Sequence, residues 1–126
     1  MLVDHALAYG WDKDMGGFYD EGTTFGQAEN KRKEWWVEFE GLNSLLLMHE
    51  KYGKETNRYF DAFLKQWQFI SEHQIDSEFH GVYEEIGPDG KVQNPTKGHI
   101  WKAAYHDGRA LLNVASRLRT LAAGSN

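Results

Sequence analysis

The sequence contains no cysteine and only two prolines among its 126 residues. The lack of cysteine excludes a disulfide framework and a thiolate metal site. A formal net charge of −5, with no block of lysine or arginine, argues against a nucleic-acid partner. No apolar run approaches the roughly 20 residues that span a bilayer, and the N-terminus lacks a signal-peptide pattern. We therefore expect a cytoplasmic protein with no membrane partner.

Aromatic residues, in contrast, make up 14% of the chain and include five tryptophans. Their rings bury much apolar area per residue and also suit the faces of sugars. The share of hydrophobic residues is 40% and that of charged residues 26%, which is ordinary for a globular protein. A chain of this length is expected to form one domain at most.

Apolar spacing predicts four helices. They are Leu2–Leu7 ended by Gly10, 34–52, a helix capped by Thr56 or Asn57 that carries the apolar stripe 59–70, and a last helix from about His99 or Trp101 to Leu121. Residues 11–22 predict a tight excursion, 23–33 a polar loop, and 74–90 two short strands with a Pro-Asp-Gly turn. Because no N-cap residue precedes Leu2, we expect the first helix to begin in its middle.

These segments repeat along the chain. Asp12, Gly17, Tyr19 and Glu21 recur 64 residues later as Asp76, Gly81, Tyr83 and Glu85. Trp35, Phe39 and Glu40 correspond to Trp101, Tyr105 and His106 at a spacing of 66 residues. The repeated unit is a β-excursion, a helix and a returning helix. Repeats of this length are typical of helical solenoids and closed helical arrays.

The repeat assigns Glu40 and His106 to the same place in successive units. If the units pack side by side, both side chains face one cavity, where a carboxylate and an imidazole can perform acid–base chemistry. The alternative is that they are two unrelated polar residues near helix starts. The pattern by itself leaves both interpretations open.

Two stretches, "KEWWVEFEGLNSLLLMHEKYG" and "KGHIWKAAYHDGRALLNV", resemble the N-acylglucosamine 2-epimerase family. This family includes cellobiose 2-epimerases and related aldose–ketose isomerases, and the excursions at 10–22 and 75–91 fit it in order and spacing. The resemblance implies a mainly α fold, a closed α/α barrel of six antiparallel helix pairs with short β-hairpin excursions. Residues 1–126 are then expected to be a single partial domain, the C-terminal third of such a barrel.

The resemblance also implies roles for particular residues. His106 matches the family's C-terminal catalytic histidine, and Glu40 matches the glutamate of the WW-x-x-x-E helix. Trp36 and Trp101 match aromatic residues that stack on or enclose the sugar. Arg109 lies on the matching motif without an assigned role.

The chain departs from the family pattern at three positions. Glu38 and Phe39 stand where members often carry glutamine or a small residue. Asp107 stands where asparagine is common, which adds an acid beside His106. These differences leave the preferred sugar open.

The resemblance implies epimerisation or isomerisation at C2 of a reducing sugar by two proton-transfer groups, with no cofactor. No pair of histidines has the i, i+4 spacing and nearby acid of a zinc site, so we expect no metal. The family's other catalytic histidines match nothing here. We therefore expect the isolated chain to be weak or inactive, and to need a preceding segment or self-association.

Two alternatives stay open. One is a helical-barrel glycoside hydrolase or lyase that uses the carboxyl groups of Glu40 and Asp107. The other is a truncated or split, non-catalytic module whose exposed helix faces bind a partner chain or a second copy.

Overall fold

A computed structural model describes residues 2–124, in which all four predicted helices are present. The helices are α1 Leu2–Tyr9, α2 Trp35–Tyr52, α3 Arg58–Phe69 and α4 Tyr105–Ala123. The strands are β1 Glu21–Gly22, β2 Ala28–Asn30, β3 Lys33–Glu34, β4 Glu85–Ile86 and β5 Val92–Asn94. A π-helical turn, Ile70–Gln74, extends α3. Within this part of the chain no helix is both long and apolar enough to cross a membrane.

Helix α2 forms the centre of the fold because it carries apolar side chains on two faces. Phe39, Leu42, Leu45 and Leu46 are fully buried in the core. The core is completed by side chains from both neighbouring helices, among them Phe63 and Phe69 of α3 and Ala110 and Val114 of α4. Burial of each large apolar side chain contributes about 1.5–3 kcal/mol, so the four fully buried side chains of this helix contribute substantially to the stability of the core.

Contacts between the helices define their directions. The ring of His49, near the end of α2, lies 4.6 Å from that of Phe60, near the start of α3, so these two helices run antiparallel. Glu40 contacts His106 near the starts of α2 and α4, and Glu50 contacts Arg117 further along both helices. Helices α2 and α4 therefore run parallel, as equivalent members of two side-by-side repeats.

The two excursions share one architecture. Each opens with an isolated bridge, Trp11 to Phe18 in the first and Ile75 to Val82 in the second. A hairpin follows in each, β1–β2 and β4–β5, and β3 pairs with β4 to join the two units in a three-stranded sheet. The prediction of a loop over 23–33 was therefore wrong, and the Pro-Asp-Gly turn lies between β4 and β5. Of the two short strands predicted over 74–90, β4 lies within that range, whereas β5 follows it.

A lysine–aspartate pair closes each excursion at its base. Lys33 donates to Asp12 Oδ2 at 2.8 Å and to the carbonyl oxygen of Gly16 at 2.7 Å. Lys97 donates to Asp76 Oδ2 at 2.5 Å. The lysines, like the aspartates, are 64 residues apart, so this pair belongs to the same repeat although it was not predicted from the sequence.

Gly17 sits where a side chain cannot be accommodated. Its φ of +91° is rare for other residues, and a Cβ would lie 2.9 Å from Lys33 Cδ and 3.0 Å from Glu38 Oε2. We expect Gly17→Ala to lower the free energy of unfolding by about 2 kcal/mol, measured by urea denaturation. Gly98→Ala is the matched control, because its Cβ would meet only an ordinary contact at 3.6 Å. Equal stability of the two variants would contradict the prediction.

Helix α4 begins at Tyr105, which corrects the predicted start at His99 or Trp101. His99 and Lys102 exchange two backbone hydrogen bonds, each 3.1 Å long, and so close a turn before the helix. Trp101 and Tyr105 are four residues apart, which is the spacing of an apolar stripe on a helix, although Trp101 lies in this turn. The pattern was misleading because the backbone groups of the turn are already paired with each other.

Candidate active site

The structure brings Glu40 and His106 into contact. His106 Nδ1 lies 2.8 Å from Glu40 Oε1, and about a third of each side chain stays exposed. Each residue lies near the start of its helix, α2 or α4, so the contact follows from the side-by-side packing of two equivalent helices. The pair is therefore accessible at one end of the helix layer.

The carboxylate of Glu40 is held in its ionised form. Burial acts to raise the pKa of Glu40, but hydrogen bonds from His106 and Arg109 outweigh it and keep that pKa below its usual value. Arg109 Nη2 binds the same oxygen that faces His106. An ionised carboxylate only accepts hydrogen bonds, so Nδ1 of His106 must donate. In the neutral imidazole this leaves Nε2 with a free lone pair.

Three aromatic rings lie close to the His106 imidazole. Trp36 is 42% exposed, and its ring centroid lies 5.9 Å from that of the imidazole. Trp35 is buried with its ring 6.5 Å away, and the Tyr105 ring is 5.0 Å away. Over residues 2–124, Trp101 is not among the rings that contact His106, and it is 80% exposed. The structure thus places Trp36 beside the pair and Trp101 in solvent.

A cavity of about 360 Å³ opens beside Glu40 and Trp36. It lies between α1 and α2, and its other walls are mainly apolar, among them Val3, Val37 and Gly41. Ligand sites of roughly 300–1,000 Å³ commonly have such mainly apolar walls with a few polar groups. The cavity therefore continues the candidate site from the His106–Glu40 pair along α2.

A second polar cluster lies behind Trp35 and was not predicted from the sequence. Lys102 is only 4% exposed, with Nζ 4.9 Å from the centroid of the Trp35 ring. His99 Nε2 is 3.0 Å from Glu84 Oε2, so this histidine has a carboxylate partner. In the sequence, only the position of Lys102 directly after Trp101 in the WK-x-x-YH motif could have indicated this cluster. No sequence pattern indicated Glu84.

Burial also changes the proton affinity of an acid in this region. Burial raises the pKa of Glu34 to about 7; the charge of Arg32 opposes this increase, and the charges of Asp20, Glu85 and Glu84 add to it. Within residues 2–124 no three or more histidine, aspartate or glutamate side chains are grouped so that they could hold a metal ion.

The described residues contain antiparallel and parallel helices, β-hairpins, and an imidazole–carboxylate pair near the starts of two adjacent parallel helices. Together these features define a portion of an α/α barrel with a candidate site at one end. Residues 1–110 match the family model described as N-acylglucosamine 2-epimerase (GlcNAc 2-epimerase). The chain belongs to the N-acylglucosamine 2-epimerase family.

Two relatives support the same membership. A cellobiose 2-epimerase of Dictyoglomus turgidum is 27% identical over 90 residues, which are 71% of this chain and 23% of that protein. A D-mannose isomerase of Marinomonas mediterranea is 26% identical over 117 residues, which are 93% of this chain and 29% of that protein. The chain thus spans about a quarter of the length of these relatives.

Solved structures show the same fold. A crystal structure of D-mannose isomerase superposes with a TM-score of 0.80 at 24% identity, covering 90% of this chain and 28% of the other. Cellobiose 2-epimerase from Spirochaeta thermophila superposes with a TM-score of 0.69 at 28% identity, covering 83% and 26%. The helices described above are therefore arranged as in part of those α/α barrels.

Proposed function

We propose that this chain supplies one of two proton-transfer groups for epimerisation or isomerisation at C2 of a reducing sugar. The observation that carries the proposal is the 2.8 Å contact between His106 Nδ1 and the ionised Glu40, beside the half-exposed ring of Trp36. Family membership and the names of the relatives support the class of reaction.

In the proposed reaction, the open-chain aldehyde acidifies the proton on C2. One group removes this proton to give an enediolate, and a second group returns a proton to C2 or to C1. Return to the opposite face of C2 gives the epimeric aldose, and return to C1, with transfer of the O2 proton to O1, gives the ketose. His106 Nε2, with its free lone pair, is one of these two groups.

The neighbouring residues hold the imidazole and the sugar. Glu40 fixes the tautomer of His106 through Nδ1 and stabilises the imidazolium that forms when Nε2 takes a proton. Arg109 keeps Glu40 ionised and oriented. Trp36 offers a ring face to the sugar, and we assign Trp101, whose ring is exposed, to the outer part of the substrate.

The second proton-transfer group lies outside this chain in our proposal. We place residues 1–126 at the C-terminal third of a complete barrel, because the order of the WW-x-x-x-E and WK-x-x-YH motifs follows the end of the family pattern. The isolated chain is then a weak or inactive catalyst. Activity requires the helices that complete the barrel.

A glycoside hydrolase would need a general acid other than Glu40. Hydrolysis by two carboxyl groups needs one of them to be protonated, with a raised pKa. Glu40 has a lowered pKa and binds both His106 and Arg109, so it is a poor general acid. The non-catalytic module stays as the second outcome of the test below.

A chimera tests the proposal directly. The aligned residues of this chain replace the matching segment of the Marinomonas mediterranea D-mannose isomerase, and deuterium incorporation at C2 of mannose, glucose and cellobiose is followed in D2O. We expect exchange at C2 in at least one sugar, and the products then separate epimerisation from isomerisation. A folded chimera that hydrolyses cellobiose without exchange would support the hydrolase. A folded, inert chimera, with an isolated chain that associates in sedimentation, would support the module.

A further inference from the structure

We propose that His99 and Glu84 are positioning residues that fix the turn carrying Trp101, and so fix where this exposed indole meets the outer part of the sugar. The part of the proposal that concerns the sugar rests on the function proposed above. The fixing of the turn concerns only contacts within the chain, so it can be tested without turnover.

The turn that carries Trp101 combines an exposed aromatic ring with a hydrogen-bonded backbone. Trp101 is 80% exposed, and the neighbouring Ile100 is 86% exposed. The backbone groups of His99 and Lys102 nevertheless bond to each other, and the Trp101 N–H donates to Nδ1 of His99 at 3.1 Å. An aromatic ring on an ordered backbone loses little conformational entropy when a ligand stacks on it. The turn therefore has the properties of a binding surface.

Both nitrogens of the His99 imidazole are occupied. Nδ1 accepts the Trp101 N–H, so it carries no proton, and the proton of the neutral ring is on Nε2. Nε2 lies 3.0 Å from Oε2 of Glu84 and donates to it. In His106 the carboxylate faces Nδ1 instead, so the two histidines are held in opposite tautomers. His99 has no nitrogen left for a sugar proton, which makes it a positioning residue.

Glu84 is a fixed anchor for this contact. Its carbonyl oxygen accepts the N–H of Trp35, the first residue of α2, at 2.9 Å. Its own N–H donates to the carbonyl oxygen of Asn94 in β5 at 3.1 Å. The hydrogen bond from His99 to the Glu84 carboxylate therefore ties the turn to the start of α2 and to the second excursion.

The buried ring of Trp35 is a common neighbour of the turn and of the His106–Glu40 pair. Its centroid lies 6.3 Å from that of His99 and 6.5 Å from that of His106, edge-on in both cases. Because the turn is fixed to the same structure as the pair, Trp101 keeps a constant position relative to His106. Loss of the Glu84 carboxylate should release the turn without removing any contact of the His106–Glu40 pair.

Nuclear magnetic resonance tests the fixing of the turn. In the wild-type chain at about pH 8, we expect the nitrogen signals of His99 to show a neutral ring protonated on Nε2. We expect His99→Ala to speed hydrogen exchange of the Trp101 N–H about tenfold, and Glu84→Ala to speed it about threefold. The double variant should exchange no faster than His99→Ala, because Glu84 acts through His99.

Two further variants separate positioning from a general loss of stability. Glu84→Gln keeps an acceptor oxygen for Nε2–H and should exchange as slowly as the wild type. Glu78→Ala removes an exposed glutamate of the same excursion and should change neither the exchange nor the spectrum. The proposal is overturned if the wild-type ring is protonated on Nδ1, a result that needs no variant to fold. It is equally overturned if Glu84→Ala exchanges as slowly as the wild type, or if Glu84→Gln does not restore slow exchange.

Kinetics of the chimera test the consequence for the sugar. In Glu84→Ala the inhibition constant of cellobiose against mannose should rise about fivefold, with kcat and KM for mannose within about twofold of the unsubstituted chimera. A fall in kcat, or an equal loss for both sugars, would contradict a role at the outer sugar. A chimera without deuterium exchange at C2 would refute the proposed reaction, and the exchange of the Trp101 N–H would still decide whether His99 and Glu84 fix the turn.

Discussion

Replacing His106 by asparagine in the active chimera is expected to slow deuterium exchange at C2 by about a thousandfold. Asparagine keeps the polarity and approximate size of the side chain and can still donate to Glu40. It has no lone pair on a basic nitrogen, so it can neither take the C2 proton nor return one. The sugar should still bind, because Trp36 and the cavity are unchanged, and the loss should appear in kcat with little change in KM.

Two further variants make this result specific. Glu40→Gln should reduce the rate by about ten- to a hundredfold, since Nε2 remains but the imidazolium loses its compensating charge. His80→Asn should leave the rate unchanged, because His80 is exposed and its φ of 62° suits asparagine. Retention of activity within about tenfold in His106→Asn would remove the catalytic assignment, since general acid–base groups contribute more than that.

Glu38→Gln is expected to stabilise the chain strongly at alkaline pH and hardly at all near pH 5. The Glu38 side chain is fully buried, where it accepts the N–H of Phe18 at 3.1 Å and Gln66 Nε2 at 2.5 Å. Burial raises the pKa of Glu38 to about 8, because these hydrogen bonds and the charge of Lys33 only partly compensate the desolvation.

The direction of the pH effect follows from proton linkage. In the unfolded chain this carboxyl group has the ordinary glutamate pKa of 4.5, so between that value and about 8 only the folded state keeps the proton. Folding therefore becomes less favourable as pH rises through this window, and the loss is complete above about pH 8. Glutamine keeps the shape and the acceptor oxygen without the charge. The gain at pH 9 is on the order of 4 kcal/mol.

Urea denaturation of wild type and Glu38→Gln at pH 5 and pH 9 measures this difference. The exposed Glu78→Gln is the matched control and should change stability equally at both values. Because Glu34 also has a raised pKa, both proteins lose stability on the way to pH 7, and only the difference between them reports on Glu38. A difference that does not depend on pH would show that Glu38 is ionised in the folded state.

The helices and the central pair were accessible from the sequence. Apolar residues three and four positions apart predict α2 and α3 because a helix buries one stripe, and the structure confirms both. The spacing of 66 residues between Glu40 and His106 predicts their proximity, since equivalent positions of stacked repeats are neighbours in space. The 2.8 Å contact between their side chains agrees with that reasoning.

The features that only the tertiary structure decided are those that depend on contacts between distant segments of the chain. The start of α4 at Tyr105 is set by a turn in which His99 and Lys102 bond to each other, and the strand β3 exists because it pairs with β4 of the second excursion. The position of Lys102 over Trp35, close to the charges of Glu84 and Asp107, likewise combines residues from three elements. Sequence periodicity predicts which face of a helix is buried. It does not predict which segment pairs with a turn, a two-residue strand or a buried charge, because those partners are brought together only when the chain packs.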